Sequence, residues 1–333
     1  MNANMQDMKD VVYSSRVRLA RNVRGLPFPH RLHGEEEIYK MMQKVKEACD
    51  KVVATDFYQM RGFDPIEAQV LVEKHLVSPQ LTQECPYGVA FVSKDETISV
   101  MLNEEDHIRQ QCIVEGMGLD RAYESLSQID REIAKTLPIA YSPEWGYLTA
   151  CPTNLGAAMR ASAMVFLPAL TMTGVINSFI RKYQENGITT RGVYGEGSQA
   201  EGYLYQISNQ AAIGMSEREI LDRMNLVVSK LVEAERIARQ NIAKHEGIKL
   251  KDKIMRAYGT MLYAYKMSSQ ELMELSALVK LGVCLQYLDC DLSKLNRLIV
   301  ESQPATLCKL TGKNLNVAER DVARASIVRK KLN

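Results

Sequence analysis

The residues on either side of Ser216 differ in hydrophobic pattern, and this difference limits the possible folds more than any other feature. Beyond Ser216, apolar side chains recur every three to four residues for about 30 positions, as in an amphipathic helix, and little of the rest alternates like a strand. These apolar positions are Ile220, Met224, Val227, Leu231, Ala238 and Ile242. Before Ser216, short alternating segments are separated by helical ones. We therefore expect a mixture of strands and helices followed by a helical region.

Several segments before Ser216 have the pattern of strands. Residues 11–19 alternate, and within residues 89–102 two alternating runs flank a polar turn, which predicts a hairpin. A second hairpin is expected around the glycine-rich residues 191–198. Residues 145–151 indicate another strand, which we expect to lead through a Pro-Thr-Asn turn into a helix from Leu155.

Two amphipathic helices separate these strands, one starting near Glu35 and one near Leu119. In the helical region that follows, Gly247 and the lysine-rich residues after it are the best candidate for a domain boundary. We therefore predict two domains, residues 1–246 and residues 247–333.

Composition excludes several classes of protein. Forty-two Lys and Arg residues against 40 Asp and Glu residues give a net charge of +2, whereas nucleic-acid and anionic-membrane binders usually carry a large basic excess. The most apolar stretch, residues 161–176, is shorter than the roughly 20 residues that a membrane-spanning helix needs. The start of the chain lacks the features of a secretory signal, and the seven scattered cysteines have no metal-ligand spacing. We expect a cytoplasmic protein with free thiols and no metal site of its own.

Five arginines stand in loops or at strand ends among small or polar residues. They are Arg16, Arg18, Arg109, Arg160 and Arg191. The chain has no P-loop, no Gly-x-Gly-x-x-Gly motif and no Gly-x-Ser-x-Gly elbow, so the usual phosphate loop is missing. Because guanidinium groups repel one another, the five can converge only around a polyanion such as a triphosphate. Taken singly, each arginine is more often part of a solvated surface.

Acidic residues offer a complementary chemistry. Glu104-Glu105-Asp106 follows a strand, and Glu196 stands between two glycines that would let a loop move. A guanidinium is a poor nucleophile, and paired carboxylates could align it and accept its proton. Alternatively, Glu104-Glu105-Asp106 is a surface charge run and Glu196 is only a turn residue. Cys151 is more often a buried thiol than a catalyst, and His75 also fits an ordinary histidine at the edge of the core.

Four ordered segments resemble the signature set of the ATP:guanido phosphotransferases. They are Ser-Ser-Arg-Val-Arg-Leu-Ala-Arg-Asn at 14–22, Asn-Glu-Glu-Asp-His-Ile-Arg at 103–109, Cys-Pro-Thr-Asn-Leu-Gly at 151–156 with Arg160-Ala-Ser162, and Arg-Gly-x-x-Gly-Glu at 191–196 with Ile-Ser-Asn at 207–209. The match spans roughly residues 11–245. The resemblance implies an α+β fold with a mainly antiparallel, saddle-like sheet flanked by helices, followed by an all-helical C-terminal domain.

Two features resemble the bacterial protein-arginine kinase branch of this family. The first motif begins about 14 residues from the start, so we expect the family's small N-terminal helical domain to be absent and the site to admit a protein's arginine side chain. The helical end of the chain contains Arg-Asp-Val-Ala-Arg-Ala at 320–325, similar to a motif implicated in sensing phosphoarginine. On pattern alone this motif would be a solvated helix face.

The resemblance assigns a role to each candidate residue. It implies that the ATP phosphates are clamped by the five arginines Arg16, Arg18, Arg109, Arg160 and Arg191, and that His75 borders the adenine. It implies that Glu105 and Glu196 hold the target guanidinium, with Glu105 as the general base, and that Cys151 is a reactive thiolate beside it. It also implies that phosphoarginine is bound by Arg320, Asp321 and Arg324. Mg²⁺ would be held mainly by the nucleotide. The sequence departs from phosphagen kinases at Met164, where a histidine is usual, at Gly197-Ser198, and at Ala157-Ala158.

The resemblance also implies partners. These are arginine-containing protein substrates including a stress-gene repressor, a zinc-binding activator protein, and a Clp unfoldase and protease that recognises the mark. The long apolar stripes of the helical C-terminal domain also suit a homodimer interface. Two alternatives stay open at this point: a kinase for small guanidines such as free arginine, and a non-catalytic reader of phosphoarginine. A glutamine-synthetase-like ligase, which shares the sheet type, is a weaker third option because it does not explain the segment at 151–156.

Overall fold

The fold is built on a large antiparallel sheet. The structure is a computed structural model that describes residues 8–32, 35–83, 85–192 and 201–332. The strands are β1 (Val12–Arg21), β2 (Thr55–Gln59), β3 (Val89–Ser93), β4 (Ile98–Leu102), β5 (Ile108–Glu115), β6 (Tyr141–Ser142), β7 (Gly146–Tyr147), β8 (Met159–Phe166), β9 (Ile188–Gly192) and β10 (Leu204–Asn209). Eight of these described strands form one sheet in the order β2-β3-β4-β5-β1-β8-β10-β9, and each neighbouring pair is antiparallel. The predicted α+β class with a mainly antiparallel sheet is confirmed.

Helices flank this sheet and make up the C-terminal region. They are α1 (Glu35–Asp50), α2 (Pro65–Glu73), α3 (Pro79–Gln83), α4 (Leu119–Thr136), α5 (Pro168–Met172), α6 (Ile176–Gln184), α7 (Glu217–Tyr263), α8 (Ser269–Cys284), α9 (Leu292–Glu301), α10 (Pro304–Thr311) and α11 (Val317–Leu332). On α4, Leu126, Ile129 and Ile133 recur at helical spacing and are fully buried against the sheet. Burial of each such side chain stabilises the fold by about 1.5–3 kcal/mol. The helices expected from Glu35 and Leu119 are therefore confirmed.

The strands of both predicted hairpins are confirmed, with β3 paired to β4 and β9 paired to β10, whereas residues 193–198 of the second hairpin lie outside the described residues. The strand predictions are wrong between residues 145 and 166. Of residues 145–151, only Gly146–Tyr147 pairs as a strand, in a two-stranded ribbon with Tyr141–Ser142. The helix expected from Leu155 is instead β8, which lies between β1 and β10 near the middle of the sheet. Most residues of β8 are buried, so its sequence lacks the alternation that marks a half-exposed strand.

The long helix α7 joins the sheet to the C-terminal region. It begins with a capping box, in which the Ser216 backbone N–H donates to the Glu219 carboxylate and the Glu219 N–H donates to the Ser216 hydroxyl. Gly247 interrupts the helical backbone with φ 43° and ψ −116°. The domain boundary proposed at this glycine stays a prediction, because the helices beyond it share apolar contacts with the sheet region, for example Ile254 and Leu281 with Phe166.

Two of the composition-based expectations concern features visible in the structure. All seven cysteines lie within the described residues, and none of them forms a disulfide bond. In the part of the chain that the structure describes, no helix is both long enough and apolar enough to cross a membrane.

Candidate active site

Three neighbouring strands carry arginines to one face of the sheet. Arg16 and Arg18 lie two residues apart on β1 and so point to the same side. Arg18 lies directly opposite Arg160 of β8, and Ala20 lies opposite Arg109 of β5. Residues directly opposite one another in an antiparallel pair share a face. The register therefore brings four of the five predicted arginines together on the β5-β1-β8 surface.

These arginines repel one another. Burial and then the charges of Arg109 and Arg160 lower the pKa of Arg16 to about 10, and burial followed by Arg16 lowers the pKa of Arg18 well below its usual value. The pKa of Arg160 is lowered by burial and then by Arg191 and Arg109. The Nε atoms of Arg16, Arg18 and Arg160 are buried without a hydrogen-bond partner among the described residues. An anion bound between these arginines would reduce their mutual repulsion and would accept hydrogen bonds from their unpaired N–H groups.

One buried carboxylate, Glu104, forms an ion pair within this cluster. Glu104 forms an ion pair with Arg109 and accepts a hydrogen bond from the Ser78 hydroxyl, and its side chain is 1% exposed. It raises the pKa values of Arg16 and Arg18 but does not cancel the lowering effects. The cluster keeps an excess of positive charge, which suits a polyanionic ligand.

A cavity of about 790 Å³ extends from the arginines toward α2 and α10. Its lining includes Arg16, Arg18 and Arg109 at one end, and Val72, Glu73, His75, Val77, Pro79, Gln303 and Pro304 elsewhere. The pKa of His75 is lowered by burial and then by Arg16, and its backbone has φ 60°. The structure thus places the predicted histidine in the same cavity as the arginines.

A second, smaller cavity of about 170 Å³ adjoins the first. Arg18 and Arg109 line both cavities, and Glu105, Cys151 and Arg160 line only the smaller one. Because these two arginines belong to both linings, a group bound in the larger cavity lies next to a group bound in the smaller one.

Glu105 and Cys151 face each other in the smaller cavity. The pKa of Glu105 is raised, mainly by burial and then by the charge of Asp106, while Arg109 and a hydrogen bond with Cys151 act in the opposite direction. The Cys151 sulfur also lies 3.0 Å from the Thr153 hydroxyl. A carboxylate with a raised pKa is a stronger base than a free glutamate, so Glu105 is suited to accept a proton.

The three consecutive acidic residues have separate positions, which the sequence pattern did not show. Glu104 faces the arginines and Glu105 lines the smaller cavity. Asp106 accepts hydrogen bonds from the Asn22 side-chain amide at 2.6 Å and from the Ala150 N–H at 2.8 Å. Asp106 therefore holds the segment just before Cys151. The positioning roles of Asp106 and Asn22 were missed, although both lie inside the motifs.

Arg191 is the one described arginine of the predicted five that lines neither of these two cavities. Arg191, on β9, is exposed, and its charge reaches Arg160. Glu196 and Gly197-Ser198 lie outside the described residues, so their predicted roles stay predictions. Met164, on β8, packs beside the apolar cluster that contains Phe166 and Leu204.

Arg324, in the C-terminal motif, is buried and donates three hydrogen bonds through Nε and Nη1. It is 1% exposed and donates to the Ser302 carbonyl at 3.1 Å, to the Met267 carbonyl at 2.8 Å and to the Asp321 carboxylate at 2.8 Å. The alternative of a solvated helix face is therefore wrong for Arg324, whose tertiary contacts are not visible in the sequence. Phosphoarginine binding by Arg320, Asp321 and Arg324 stays a prediction.

Sequence comparisons agree with this geometry. The family model for the ATP:guanido phosphotransferase C-terminal catalytic domain matches residues 37–238, and the model for the protein-arginine kinase McsB C-terminal domain matches residues 247–333. The protein-arginine kinase of Caldanaerobacter subterraneus subsp. tengcongensis is 44% identical over 333 residues, covering 99% of each chain. That of Geobacillus stearothermophilus is 40% identical over 328 residues, covering 97% of this chain and 90% of the relative.

Solved structures share the fold. Lombricine kinase superposes with a TM-score of 0.60 at 25% identity, over 68% of this chain and 67% of that chain. The duplicated taurocyamine kinase from Schistosoma mansoni gives a TM-score of 0.62 at 24% identity, over 80% of this chain and 39% of that chain. The antiparallel sheet with its arginine cluster thus defines a guanidine-kinase fold. The chain belongs to the ATP:guanido phosphotransferase family, and within that family to the protein-arginine kinases.

Proposed function

We propose that this protein transfers the γ-phosphoryl group of ATP to the guanidinium groups of arginine side chains in other proteins. The observation that carries the proposal is the junction of the two cavities at Arg18 and Arg109. The larger cavity suits a polyphosphate because the positive charge of its arginines exceeds the negative charge of the neighbouring carboxylates. The other presents Glu105 and Cys151, which suit a guanidinium.

Each group has a defined task in this scheme. The arginines bind the phosphate oxygens and stabilise the charge that develops on the transferring phosphoryl group. Glu105 aligns the guanidinium and accepts one N–H proton as the N–P bond forms and the bond between the γ-phosphorus and the β–γ bridging oxygen breaks, leaving ADP. His75 borders the nucleotide base, Glu196 is the second carboxylate, and Cys151 lies beside the guanidinium. Arg191 completes the phosphate clamp from β9.

ATP is the phosphoryl donor, and Mg²⁺ would accompany it. The carboxylate facing the arginines, Glu104, is already held by Arg109 and Ser78, so the described residues offer the ion little. Oxygens of the nucleotide and water would therefore supply most of its ligands, and the ion would neutralise phosphate charge.

Proteins are the proposed substrates because the C-terminal region matches that of protein-arginine kinases and the relatives that match over nearly the full length carry that name. From the family resemblance we further propose that the phosphoarginine mark directs clients to a Clp unfoldase and protease in the cytoplasm. A stress-gene repressor would be one client, a zinc-binding protein would act as activator, and the kinase would form a homodimer. The motif of Arg320, Asp321 and Arg324 would sense the mark, with Arg320 in contact with the phosphoarginine and buried Arg324 holding the motif in place.

The test is neutral-pH mass spectrometry after incubation with MgATP. One reaction contains an unstructured arginine-containing protein and a parallel reaction contains free arginine. We expect phosphate on arginine side chains, removed by mild acid, and none on free arginine. Phosphorylation of free arginine alone would indicate a small-guanidine kinase. Phosphoarginine binding without any phosphorylation, even with activator added, would indicate a reader. Glu105→Gln serves as the inactive control.

A further inference from the structure

The nucleotide cavity is completed by residues from the C-terminal helices. Gln303, which caps α10, and Pro304, its first residue, line the same cavity as Arg16 and Arg18 of β1. This wall is contributed by residues nearly 300 positions away from the arginines in the sequence. Its position relative to the cavity therefore depends on contacts between α10 and the sheet region.

Glu73 makes the main polar contact of this kind. It is the last residue of α2 and itself lines the cavity. Its Oε1 accepts a hydrogen bond from the Ala305 N–H at 2.7 Å, and its Oε2 accepts from the Thr306 N–H and the Thr306 hydroxyl, both at 2.8 Å. Ala305 and Thr306 are each 7% exposed. The carboxylate thus satisfies the first N–H groups of α10, a place where negative charge is favourable.

The turn between α9 and α10 is held from its other side by α11. Ser302 is 2% exposed, and its carbonyl accepts the hydrogen bond from Arg324. Glu73 and Arg324 therefore fix the two ends of residues 302–306. Of these two, only Glu73 comes from the sheet region, so it determines where the turn lies against the arginine cluster.

We propose that Glu73 is a positioning residue for nucleotide binding: by anchoring the N-terminus of α10, it places the Gln303-Pro304 wall against the bound nucleotide. The proposal rests on the proposed function, since it assumes that the nucleotide occupies this cavity. Its second consequence is electrostatic. The α10 N–H groups bind the Glu73 carboxylate and so offset its negative charge. If α10 moved away, the uncompensated charge would repel an anionic ligand in the same cavity.

The matched control is Glu67, on the same helix and in contact with the same partner helix. Glu67 pairs with Lys309 of α10 at 2.5 Å, but both side chains are more than 40% exposed. Exposed ion pairs contribute little, so Glu67→Gln should leave kinetics nearly unchanged. Thr306→Val removes only the hydroxyl bond and leaves the carboxylate in place.

The experiment measures kcat and the KM for MgATP and for a protein acceptor, with thermal unfolding to check folding. Glu73→Gln should raise the KM for MgATP by about 5- to 30-fold, with kcat and the acceptor KM within about 2-fold of the wild type. Thr306→Val should raise the KM for MgATP by a smaller factor, about 5-fold at most. The proposal is wrong if the KM for MgATP is unchanged in both variants. It is also wrong if Glu73→Gln lowers kcat and raises the acceptor KM by as large a factor as it raises the KM for MgATP.

A direct binding measurement separates this inference from the proposed function. The dissociation constant of an ATP analogue is compared for wild type, Arg16→Gln, Glu73→Gln and Glu67→Gln. If Arg16→Gln weakens binding and Glu73→Gln does not, the positioning role is wrong and the nucleotide site stands. If neither variant weakens binding, the nucleotide lies elsewhere and the proposed site itself fails.

Discussion

Arg18 on β1 lies directly opposite Arg160 on β8, in the middle of an antiparallel sheet. Two like charges at facing positions of neighbouring strands destabilise a sheet. Burial, followed by the charges of Arg16, Arg109 and Arg160, lowers the pKa of Arg18, and burial, followed by Arg191 and Arg109, lowers the pKa of Arg160. The arrangement therefore costs free energy in the absence of a ligand, and an anion bound between the strands recovers it.

This relationship predicts opposite effects of one substitution on activity and on stability. Arg18→Gln should lower kcat/KM by about 10²–10³-fold, because it removes a donor that stabilises the developing phosphoryl charge. Its melting temperature without nucleotide should equal or exceed that of the wild type, and the stabilisation by MgATP should shrink. Arg24→Gln, at an exposed position just after β1, is the control and should change neither. A variant that unfolds more easily while keeping its activity would contradict this account of the arginine cluster.

Glu105 should set the acid side of the pH–activity profile. Only its ionised form can accept a proton, and its pKa is raised above the usual 4.5 by burial and neighbouring carboxylates. Activity should therefore fall as pH decreases through a midpoint above 4.5. Glu105→Gln should lower kcat by about 10²–10⁴-fold at all pH values, while Glu115→Gln, at the exposed end of β5, should keep both rate and profile. Substantial activity in Glu105→Gln would exclude this residue as the base.

Arg21 should be structural although it belongs to the same motif as Arg16 and Arg18. It points to the opposite face of the sheet, where its Nη2 lies 2.9 Å from the Asp130 carboxylate of α4 and its guanidinium lies over the Tyr147 ring. Its side chain is 2% exposed. Arg21→Gln should lower the free energy of unfolding by about 3 kcal/mol, since the partly buried Asp130 carboxylate loses its charged partner and keeps the Gln110 amide. Denaturant unfolding measures this loss, and the folded fraction should retain near wild-type kcat.

Lys280 should destabilise the protein at neutral pH. It is buried between the rings of Tyr13 and Phe166, at 4.9 Å and 4.8 Å, and burial lowers its pKa to about 8. The folded state therefore binds fewer protons than the unfolded state between pH 8 and about 10.5, so stability should rise with pH across that window. Lys280→Met should raise the free energy of unfolding at pH 7 by about 1–3 kcal/mol, and this gain should vanish above the unfolded pKa. Urea unfolding at several pH values tests both the expected rise in stability with pH and the expected gain in stability from Lys280→Met.

The two arginines of the C-terminal motif should behave differently. Arg324→Gln should lower the free energy of unfolding by about 2–3 kcal/mol, because buried carbonyls and Asp321 lose a charged donor. Arg320→Gln should change stability by less than about 0.5 kcal/mol but weaken binding of a phosphoarginine peptide. Calorimetric titration with that peptide, beside thermal unfolding, separates the two roles. Equal stability losses in both variants would argue against the distinction.

Local sequence patterns were sufficient for the strands of the hairpins and for the amphipathic helices, and they singled out several residues that line the two cavities. Alternation marks the β3–β4 hairpin because one strand face differs from the other, and helical periodicity marks α4 for the same reason. The motif arginines could be grouped because their charges require a shared anion. β8 was mistaken for a helix because burial on both faces removes the alternation on which the assignment depends.

What the sequence by itself determined is the set of candidate groups, namely arginines, carboxylates and a thiol within the motifs, and the helical C-terminal region. What only the tertiary structure decided is which groups meet. Strand register separates Arg18, which lines the cavities, from Arg21, which binds Asp130 on the opposite face. Long-range packing joins Glu73 to α10 and buries Arg324 against Ser302. These pairings depend on contacts between residues far apart in the chain, and the short-range periodicity of a sequence carries no record of such contacts.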